Sequence, residues 1–202
     1  MPIQAKRRYF EQLARDWDCL PKPDDQPRKV REFLQRARAA QARRILDAGC
    51  GTGILLEGLL ELAAPEALIV ELDFALGMLA ENAAKFKDSR VVRVCADAAA
   101  LPFASGAFEL VLCFNVAPHL GAPRHALAPL LQTMVPGGRL VIGHLMSSDE
   151  LNALHAQLDG AVSEDRLMPA ADMAEVLAGL GARVDCAEEA PGWYLVCASK
   201  TR

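Results

Sequence analysis

The residues best suited to ligand chemistry lie in the segment 47–53, where an acid is followed by glycines at positions 49, 51 and 53. The apolar run 43–48 leads into this segment and predicts a buried strand. Closely spaced glycines let the backbone turn sharply and approach a ligand, and the first amides of a following helix are free to donate hydrogen bonds. The pattern therefore predicts a cofactor-binding turn between a strand and a helix.

Two common binding turns do not fit this segment. A dinucleotide-binding turn needs another glycine three positions after the second of its pair, but Ile54 and Leu56 occupy those places in the two possible registers. A phosphate-binding loop needs Gly-Lys-Ser or Gly-Lys-Thr, which the segment lacks. The pattern therefore disfavours NAD and nucleoside triphosphates. The alternative to cofactor binding is a glycine turn that only reverses the direction of the chain.

Two further acids follow the next predicted strands. Asp73 comes 20 residues after Gly53, and Asp97 follows the third apolar run. A carboxylate at the end of the second strand can accept hydrogen bonds from both vicinal hydroxyls of a ribose. Glu71 is the rival for that role, while Asp73 could instead begin a helix as its N-cap and Asp97 could cap a turn.

Elements that would position these residues alternate along the chain. Short runs rich in Val, Ile and Leu predict strands, and Ala- and Leu-rich stretches between them predict helices, as in an α/β fold with a mostly parallel sheet. The connection 189–192 is too short for a crossover helix and predicts a hairpin with one reversed strand. The predicted strands are 43–48, 67–73, 90–95, 108–114, 138–144, 183–188 and 193–199.

The first 40 residues predict two amphipathic helices separated by the Pro-rich break 20–27. We expect this extension to lie over a face or an edge of the sheet, as a lid on the ligand crevice. The first 44 residues hold much of the basic charge, which we interpret as solvated helix faces, with an acidic substrate as the alternative. These basic residues are Lys6, Arg7, Arg8, Arg28, Lys29, Arg31, Arg36, Arg38, Arg43 and Arg44.

Taken in order, these motifs resemble those of the class I S-adenosylmethionine-dependent methyltransferases, small-molecule members in particular. Residues 47–53 resemble the first family motif, and residues 70–79 resemble the second strand with Met-Leu after its terminal acid. Residues 95–103 are similar to the segment after the third strand, 108–115 to the fourth strand, and 135–142 to the Pro-Gly-Gly turn into the fifth. The occurrence of all these segments in the family order makes the resemblance specific.

The resemblance is strong over about residues 43–145 and extends to 171–200 only in pattern. It implies a Rossmann-like seven-stranded sheet of order 3-2-1-4-5-7-6, mostly parallel with one antiparallel strand and with helices on both faces. It also implies one domain over residues 1–202. Within it we expect a helical lid at 1–42, a cofactor-binding core at 43–145, and substrate-side helices with a terminal hairpin at 146–202.

The same resemblance implies S-adenosylmethionine as the cofactor and S-adenosylhomocysteine as the product. It gives the ribose to Asp73, by the register of the following Met-Leu, and the adenine amino group to Asp97 with the backbone of Ala98. The residues predicted to bind the cofactor are Asp47, Gly49, Cys50, Gly51, Gly53, Asp73, Phe74, Met78, Asp97, Ala98 and Asn115.

Two histidines are candidates for catalysis. His119 and His144 each follow the carboxyl end of a predicted strand, where open α/β sheets bind ligands, so either could act as a base or orient a substrate. A plain loop histidine is an equal alternative for each. His125 and His155 fit the surfaces of helices.

Composition limits the classes of molecule that this chain is expected to bind. A net charge of −4 argues against a nucleic-acid partner, and the six cysteines lack the spacing of a metal site. Cys95, Cys113 and Cys197 lie in apolar runs and are expected to be buried thiols. Without a signal sequence or a membrane-spanning stretch, we expect a cytoplasmic protein with no membrane partner, as a monomer or homodimer.

The sequence thus predicts methyl transfer from S-adenosylmethionine to a small-molecule acceptor by direct in-line displacement. It leaves open the acceptor and whether its accepting atom is oxygen, nitrogen, sulfur or carbon. The main alternative is a catalytically silent cofactor-binding module with a regulatory or interaction role. A minor one is transfer of a different group from a derivative such as the decarboxylated cofactor.

Overall fold

One seven-stranded sheet runs through the computed structural model, which describes residues 3–158 and 160–201. Its strand order is β3-β2-β1-β4-β5-β7-β6. The strands are β1 Arg44–Ala48, β2 Leu68–Asp73, β3 Val91–Cys95, β4 Phe108–Phe114, β5 Met134–His144, β6 Ala182–Ala190 and β7 Trp193–Lys200.

Strand directions confirm the predicted topology. The pairs β1–β2, β2–β3, β1–β4 and β4–β5 are parallel, whereas β7 runs antiparallel to both β5 and β6. The reversal follows from the hairpin at Pro191 and Gly192, since Gly192 has a φ of +71° that suits a tight turn. β5 begins four residues earlier than predicted, because Met134 pairs with Phe108 before a register shift in β4.

Helices cover both faces of the sheet, as predicted. They are α1 Ile3–Leu13, α2 Gln26–Ala37, α3 Leu56–Leu62, α4 Leu76–Lys85, α5 Pro123–Thr133, α6 Ser148–His155 and α7 Ala170–Gly179, with short 3-10 turns at Trp17–Cys19, Ala39–Gln41 and Ala117–Leu120. No helix in the described part of the chain has the length and apolar character needed to cross a bilayer.

Two apolar clusters lie on opposite sides of the sheet because successive strand residues point to opposite faces. Leu46 belongs to one cluster with residues of α5, α6 and α7, and its neighbour Ile45 belongs to the other with residues of α2 and α3. Central strands are therefore buried on both sides, which explains why residues 45–48 of β1 are all buried rather than alternately buried and exposed.

The two N-terminal helices differ in their packing. Phe33 and Leu34 of α2 are fully buried against α3 and the sheet, so α2 belongs to the helical layer. By contrast α1 lies on α4 at the carboxyl ends of the strands, where its Phe10 is buried. α2 starts at Gln26, inside the predicted break, because Pro27 fits the first turn of a helix.

Candidate functional site

A cavity of about 260 Å³ opens at the carboxyl ends of the parallel strands, the edge where open α/β sheets bind ligands. Five of the predicted cofactor residues line it: Gly49, Asp73, Phe74, Asp97 and Ala98. Ile3 and Lys6 of α1 contribute to the wall, and His119 lies there as well. The structure therefore brings the first three predicted strand ends together with the N-terminal helix.

The glycine turn allows two backbone segments to approach closely. Gly49 has a φ of +80°, donates to the carbonyl oxygen of Leu72 at 2.7 Å, and faces Val116 so closely that an added Cβ would lie 2.2 Å from the Val116 Cγ2 atom. Gly51 also has a positive φ, +55°, but has open space beside it. Packing and conformation together therefore require glycine at position 49, whereas only conformation favours it at position 51.

Asp73 is the acid of the second strand that reaches the cavity. Its Oδ2 accepts from the amide of Gly51 at 3.0 Å, and its Oδ1 accepts from the amide of Ala75 at 2.8 Å. Glu71 is fully buried and accepts from Asn82 Nδ2 at 2.7 Å, away from the cavity wall. Geometry therefore favours Asp73 over Glu71 as a ligand-binding group.

Asp73 does not serve as the N-cap of α4, the alternative considered for it. Glu11 of α1 occupies that place, because its two carboxylate oxygens accept from the amides of Leu76 at 2.6 Å and Gly77 at 2.7 Å. An acid at a helix N-terminus satisfies free amides and interacts favourably with the helix dipole. This contact fixes α1 beside the cavity.

Three acids form a buried cluster behind the glycine turn. Burial raises the pKa of Asp47 well above its usual value, and the neighbouring Glu71 and Asp73 raise it further. Burial also raises the pKa of Glu71 to about 7, although the hydrogen bond from Asn82 opposes the shift. Asp47 does not line the cavity, and its Oδ2 has no hydrogen-bond partner among the residues that the structure describes.

Asp97 also lines the cavity, and it caps its own turn. Its Oδ1 accepts from the amide of Ala99 at 2.8 Å, so the turn-capping alternative is observed. A carboxylate has about four acceptor positions, so this bond leaves capacity for a ligand. Ala98, next to it, is buried and also contributes to the wall.

The remaining predicted cofactor residues do not line the cavity. Cys50 is buried, and burial raises its pKa well above the usual value. Met78 packs in the small cluster around Phe10, whereas Asn115, at a φ of +54°, accepts from the amide of Leu145 at 3.1 Å and ties β4 to β5. Gly51 and Gly53 lie in the turn behind Gly49.

The two candidate histidines occupy different environments. His119 lies on the wall, and its Nδ1 is 2.7 Å from Asp165 Oδ2. His144 is buried off the wall, where its Nδ1 accepts from the amide of Met146 at 3.2 Å. Burial lowers the pKa of His144 to about 3, with smaller contributions from His119 and His155. His119 is therefore the better placed candidate, and His144 stays neutral at physiological pH.

Three sequence predictions about exposure are wrong. Lys6 is not a solvated base, because it is buried on α1 and pairs with the carboxylate of Asp165. His155 is buried rather than on a helix surface, and its Nδ1 is 2.9 Å from the carbonyl oxygen of Asp165. Cys95 is exposed at the end of the edge strand, whereas Cys113 and Cys197 are buried as expected.

Sequence reasoning missed Lys6, Glu11 and Asp165 as site residues. Lys6 carries a weak signal, because it lies four residues before Phe10 and eight before Ala14, on the face of α1 that is buried. Asp165 lies in the segment 146–170, which has no recognisable motif, and only the tertiary structure brings it to Lys6 and His119.

Comparisons with known proteins identify relatives of this chain. A family model described as a methyltransferase domain matches residues 46–142. Over 182 residues the chain is 31% identical to a malonyl-[acyl-carrier protein] O-methyltransferase of Hahella chejuensis, covering 89% of this chain and 64% of that protein. Over 114 residues it is 41% identical to a demethylmenaquinone methyltransferase of Thermus thermophilus, covering 55% of this chain and 51% of that protein. The chain thus spans less than two thirds of the length of either relative.

Solved structures show the same fold at low identity. A SAM-dependent methyltransferase from Aquifex aeolicus matches with a TM-score of 0.64 and 18% identity, over 89% of this chain and all of that one. The [4+2]-cyclase SpnF matches with a TM-score of 0.71 and 19% identity, over 86% of this chain and 80% of that one. With its sheet order, glycine turn and matched domain, the chain belongs to the class I S-adenosylmethionine-dependent methyltransferases.

Proposed function

We propose that this chain transfers the methyl group of S-adenosylmethionine to a small-molecule acceptor by direct in-line displacement. The observation that carries the proposal is the cavity where Gly49, Asp73 and Asp97 on the strand ends meet His119 and α1. Cofactor-type groups lie on one wall and a titratable side chain lies on another, in a space enclosed by the N-terminal helix.

The donor set fits this cofactor. Asp73 and Asp97 offer carboxylate oxygens at the wall, suited to the ribose hydroxyls and the adenine amino group. Asp47 Oδ2 has no partner within the described residues, a costly state for a buried oxygen, and its cluster with Glu71 and Asp73 suits the positive charge of an ammonium group. S-adenosylmethionine carries an ammonium group in its amino acid part.

When bound, the cofactor supplies an electrophilic methyl group: the lone pair of the acceptor forms the bond to the methyl carbon, and sulfur keeps the electrons of the bond that breaks. The task of the protein is therefore alignment and exclusion of water. Ile3, Val116 and Leu120 give the cavity an apolar wall that suits the carbon skeleton of a small acceptor.

The names of the relatives are compatible with several acceptors. One is an O-methyltransferase acting on a malonyl group of acyl-carrier protein, and another methylates demethylmenaquinone. We therefore propose a small organic acceptor without assigning it to either compound. Transfer of a different group from a derivative of the cofactor, the minor alternative, has no support in the cavity residues.

Calorimetric titration of S-adenosylhomocysteine tests the cofactor site. We expect Asp73→Asn to weaken binding by about 10- to 100-fold, because hydrogen bonds to a charged group contribute ~1.5–3 kcal/mol. Asp149→Asn, at an exposed acid on α6, is the matched control and should bind like the wild type. Thermal unfolding of both variants checks that the Gly51 turn is intact. Equal binding by folded Asp73→Asn and wild-type protein would contradict the assigned site.

Release of S-adenosylhomocysteine tests the reaction. The protein is mixed with S-adenosylmethionine and fractionated small-molecule extract, with a protein-free control. Release in one fraction would support methyl transfer and deliver the acceptor. Tight cofactor binding with no release in any fraction would instead favour the silent binding module.

A further inference from the structure

We propose that Asp165, held by Lys6, positions His119 as a proton acceptor facing the cavity, and that the methyl acceptor is a hydroxyl compound whose proton His119 removes. The inference rests on the proposed methyl transfer for its second part. Its first part, the state of the His119 ring, concerns the protein alone. Asp165 is here a positioning residue and His119 the catalytic base.

The hydrogen bonds define the tautomer of His119. Its Nδ1 lies 2.7 Å from Asp165 Oδ2, and the other oxygen of that carboxylate pairs with the Lys6 ammonium. Burial opposes ionisation of Asp165, yet the hydrogen bonds from His119 and Lys6 hold the pKa of its carboxyl below the usual value. An ionised carboxylate only accepts, so the proton of a neutral His119 ring resides on Nδ1 and Nε2 carries a lone pair.

Nε2 of His119 is available to a ligand. No side chain or backbone group within residues 3–158 and 160–201 hydrogen-bonds to it, and the residue lines the cavity. The backbone holds the ring in place, because His119 belongs to the 3-10 turn Ala117–Leu120 and its amide donates to Val116 O at 2.8 Å. Phe10 packs against the ring at 5.2 Å between centroids.

The charges around His119 suit a ring that becomes protonated during the reaction. Asp165 supplies the negative charge that stabilises an imidazolium. Lys6 pairs with the same carboxylate and so partly offsets its negative charge. The His155 ring lies 5.4 Å away, and burial lowers its pKa, as it does for His144, so both stay neutral near pH 7. Arg166, whose guanidinium donates to the carbonyl oxygens of Ser163 and Asp165, is the other cation near this group.

The proton balance points to a hydroxyl acceptor. As the acceptor oxygen gives its lone pair to the methyl carbon, its proton moves to His119 Nε2, and the resulting imidazolium later releases that proton to water. An ordinary hydroxyl is too weak an acid to ionise at neutral pH, so it needs such a base. An acidic thiol ionises by itself and gains little from this arrangement.

Nitrogen NMR of histidine-labelled protein saturated with S-adenosylhomocysteine tests the ring state without any acceptor. The chain has four histidines, and we expect His119 to carry its proton on Nδ1 and His144 on Nε2, since His144 Nδ1 accepts from Met146. In Asp165→Asn we expect His119 to lose the single Nδ1–H form while His144 is unchanged. An Nε2–H form of His119 in the wild type would overturn the positioning role.

Kinetics with the reactive extract fraction test catalysis. Asp165→Asn is expected to lower the methyl-transfer rate by about 10- to 1,000-fold with unchanged S-adenosylhomocysteine binding, the range of general base catalysis. Asp185→Asn is the matched control, because Asp185 is a partly buried acid that pairs with a cation, Arg139, but does not line the cavity. In a His119→Gln background, Asp165→Asn should have little further effect.

Additive losses in the double variant would contradict action through His119. The carbon-13 shift of the transferred methyl group identifies the accepting atom: an O-methyl product supports the hydroxyl acceptor, and an S-, N- or C-methyl product overturns it. If no fraction reacts, the proposed methyl transfer fails while the NMR result still decides the arrangement of His119.

Discussion

The two walls of the cavity are held together in different ways. On the cofactor wall the acids accept from backbone amides: Asp73 from Ala75 and Asp97 from Ala99, each two residues away, and Asp73 also from Gly51 in the glycine turn. On the opposite wall the partners are far apart in the chain, because Asp165 lies 159 positions after Lys6 and 46 positions after His119. One wall is built by local turns, and the other depends on the docking of α1 and the segment around Asp165.

This difference has consequences for the function of each wall. Local turns at the ends of buried strands form with the sheet itself, so they present a rigid surface. Such a surface suits a ligand that does not change from one turnover to the next. The wall made by α1 and the 3-10 turn that carries His119 is held to Asp165 by a few long-range contacts and can vary or move without disturbing the sheet. We infer that cofactor recognition resides in the first wall and acceptor recognition in the second.

The largest expected effect is on the local wall. Gly49→Ala should destabilise the protein by about 2–4 kcal/mol and abolish S-adenosylhomocysteine binding, because the Cβ would overlap Val116 at a positive φ. Gly51→Ala, with open space beside it, should cost only about 1–2 kcal/mol. Urea unfolding of both variants measures the difference. Equal costs would show that backbone conformation, not the contact with Val116, decides position 49.

A pH-dependent effect of intermediate size is expected from Glu71. Burial raises its pKa to about 7, above the usual 4.5, so its stabilising contribution is complete below pH 4.5 and is lost as the pH rises through 7. Glu71→Gln removes this loss. The variant should gain about 1–3 kcal/mol relative to the wild type between pH 5 and pH 8, measured by urea unfolding.

Glu57→Gln, at an exposed position of α3, is the control for Glu71→Gln and should show no such trend. A stability difference between Glu71→Gln and wild type that does not change with pH would mean that Glu71 is ionised throughout this range. The acids behind the glycine turn would then already be compensated without a bound cation.

The smallest effect is expected at the contact that joins the two walls. Glu11→Gln should cost about 1–2 kcal/mol, because the carboxylate at the first amides of α4 loses its charge. We expect faster hydrogen exchange of α1 amides and faster release of S-adenosylhomocysteine. Gln12→Ala, exposed on the same helix, is the control. Unchanged exchange in α1 would show that Phe10 and Lys6 suffice to dock it.

The fold and the cofactor wall were predictable because their signals are local. Adjacent apolar residues such as Ile45-Leu46 and Ile69-Val70 occur because β1 and β2 are buried on both faces, and the three glycines of the turn stand where the backbone has positive φ. Asp73 ends its strand and Asp97 lies two residues after its strand, so their place at the sheet edge follows from the strand prediction. Their roles toward a ligand remain predictions.

The acceptor wall was not predictable for the same physical reason. Lys6 is indistinguishable from the neighbouring Arg7 and Arg8 by composition, and only its buried pairing with Asp165 separates it from them. His119 and His144 both lie near the carboxyl ends of strands, yet His119 lines the cavity and His144 does not. Which long-range partner a polar residue meets depends on the packing of several elements at once.

The position of α1 has a practical consequence for the design of recombinant protein. Ile3 and Lys6 line the cavity, so any residues fused before them emerge next to the place where ligands enter. β7 runs antiparallel to β5 and pairs Ser199 with Arg139. The last residues of β7 therefore lie at the amino ends of the parallel strands, away from the cavity. An affinity tag placed after residue 202 therefore leaves ligand access free, whereas a tag placed at the start of the chain would compete for the same space.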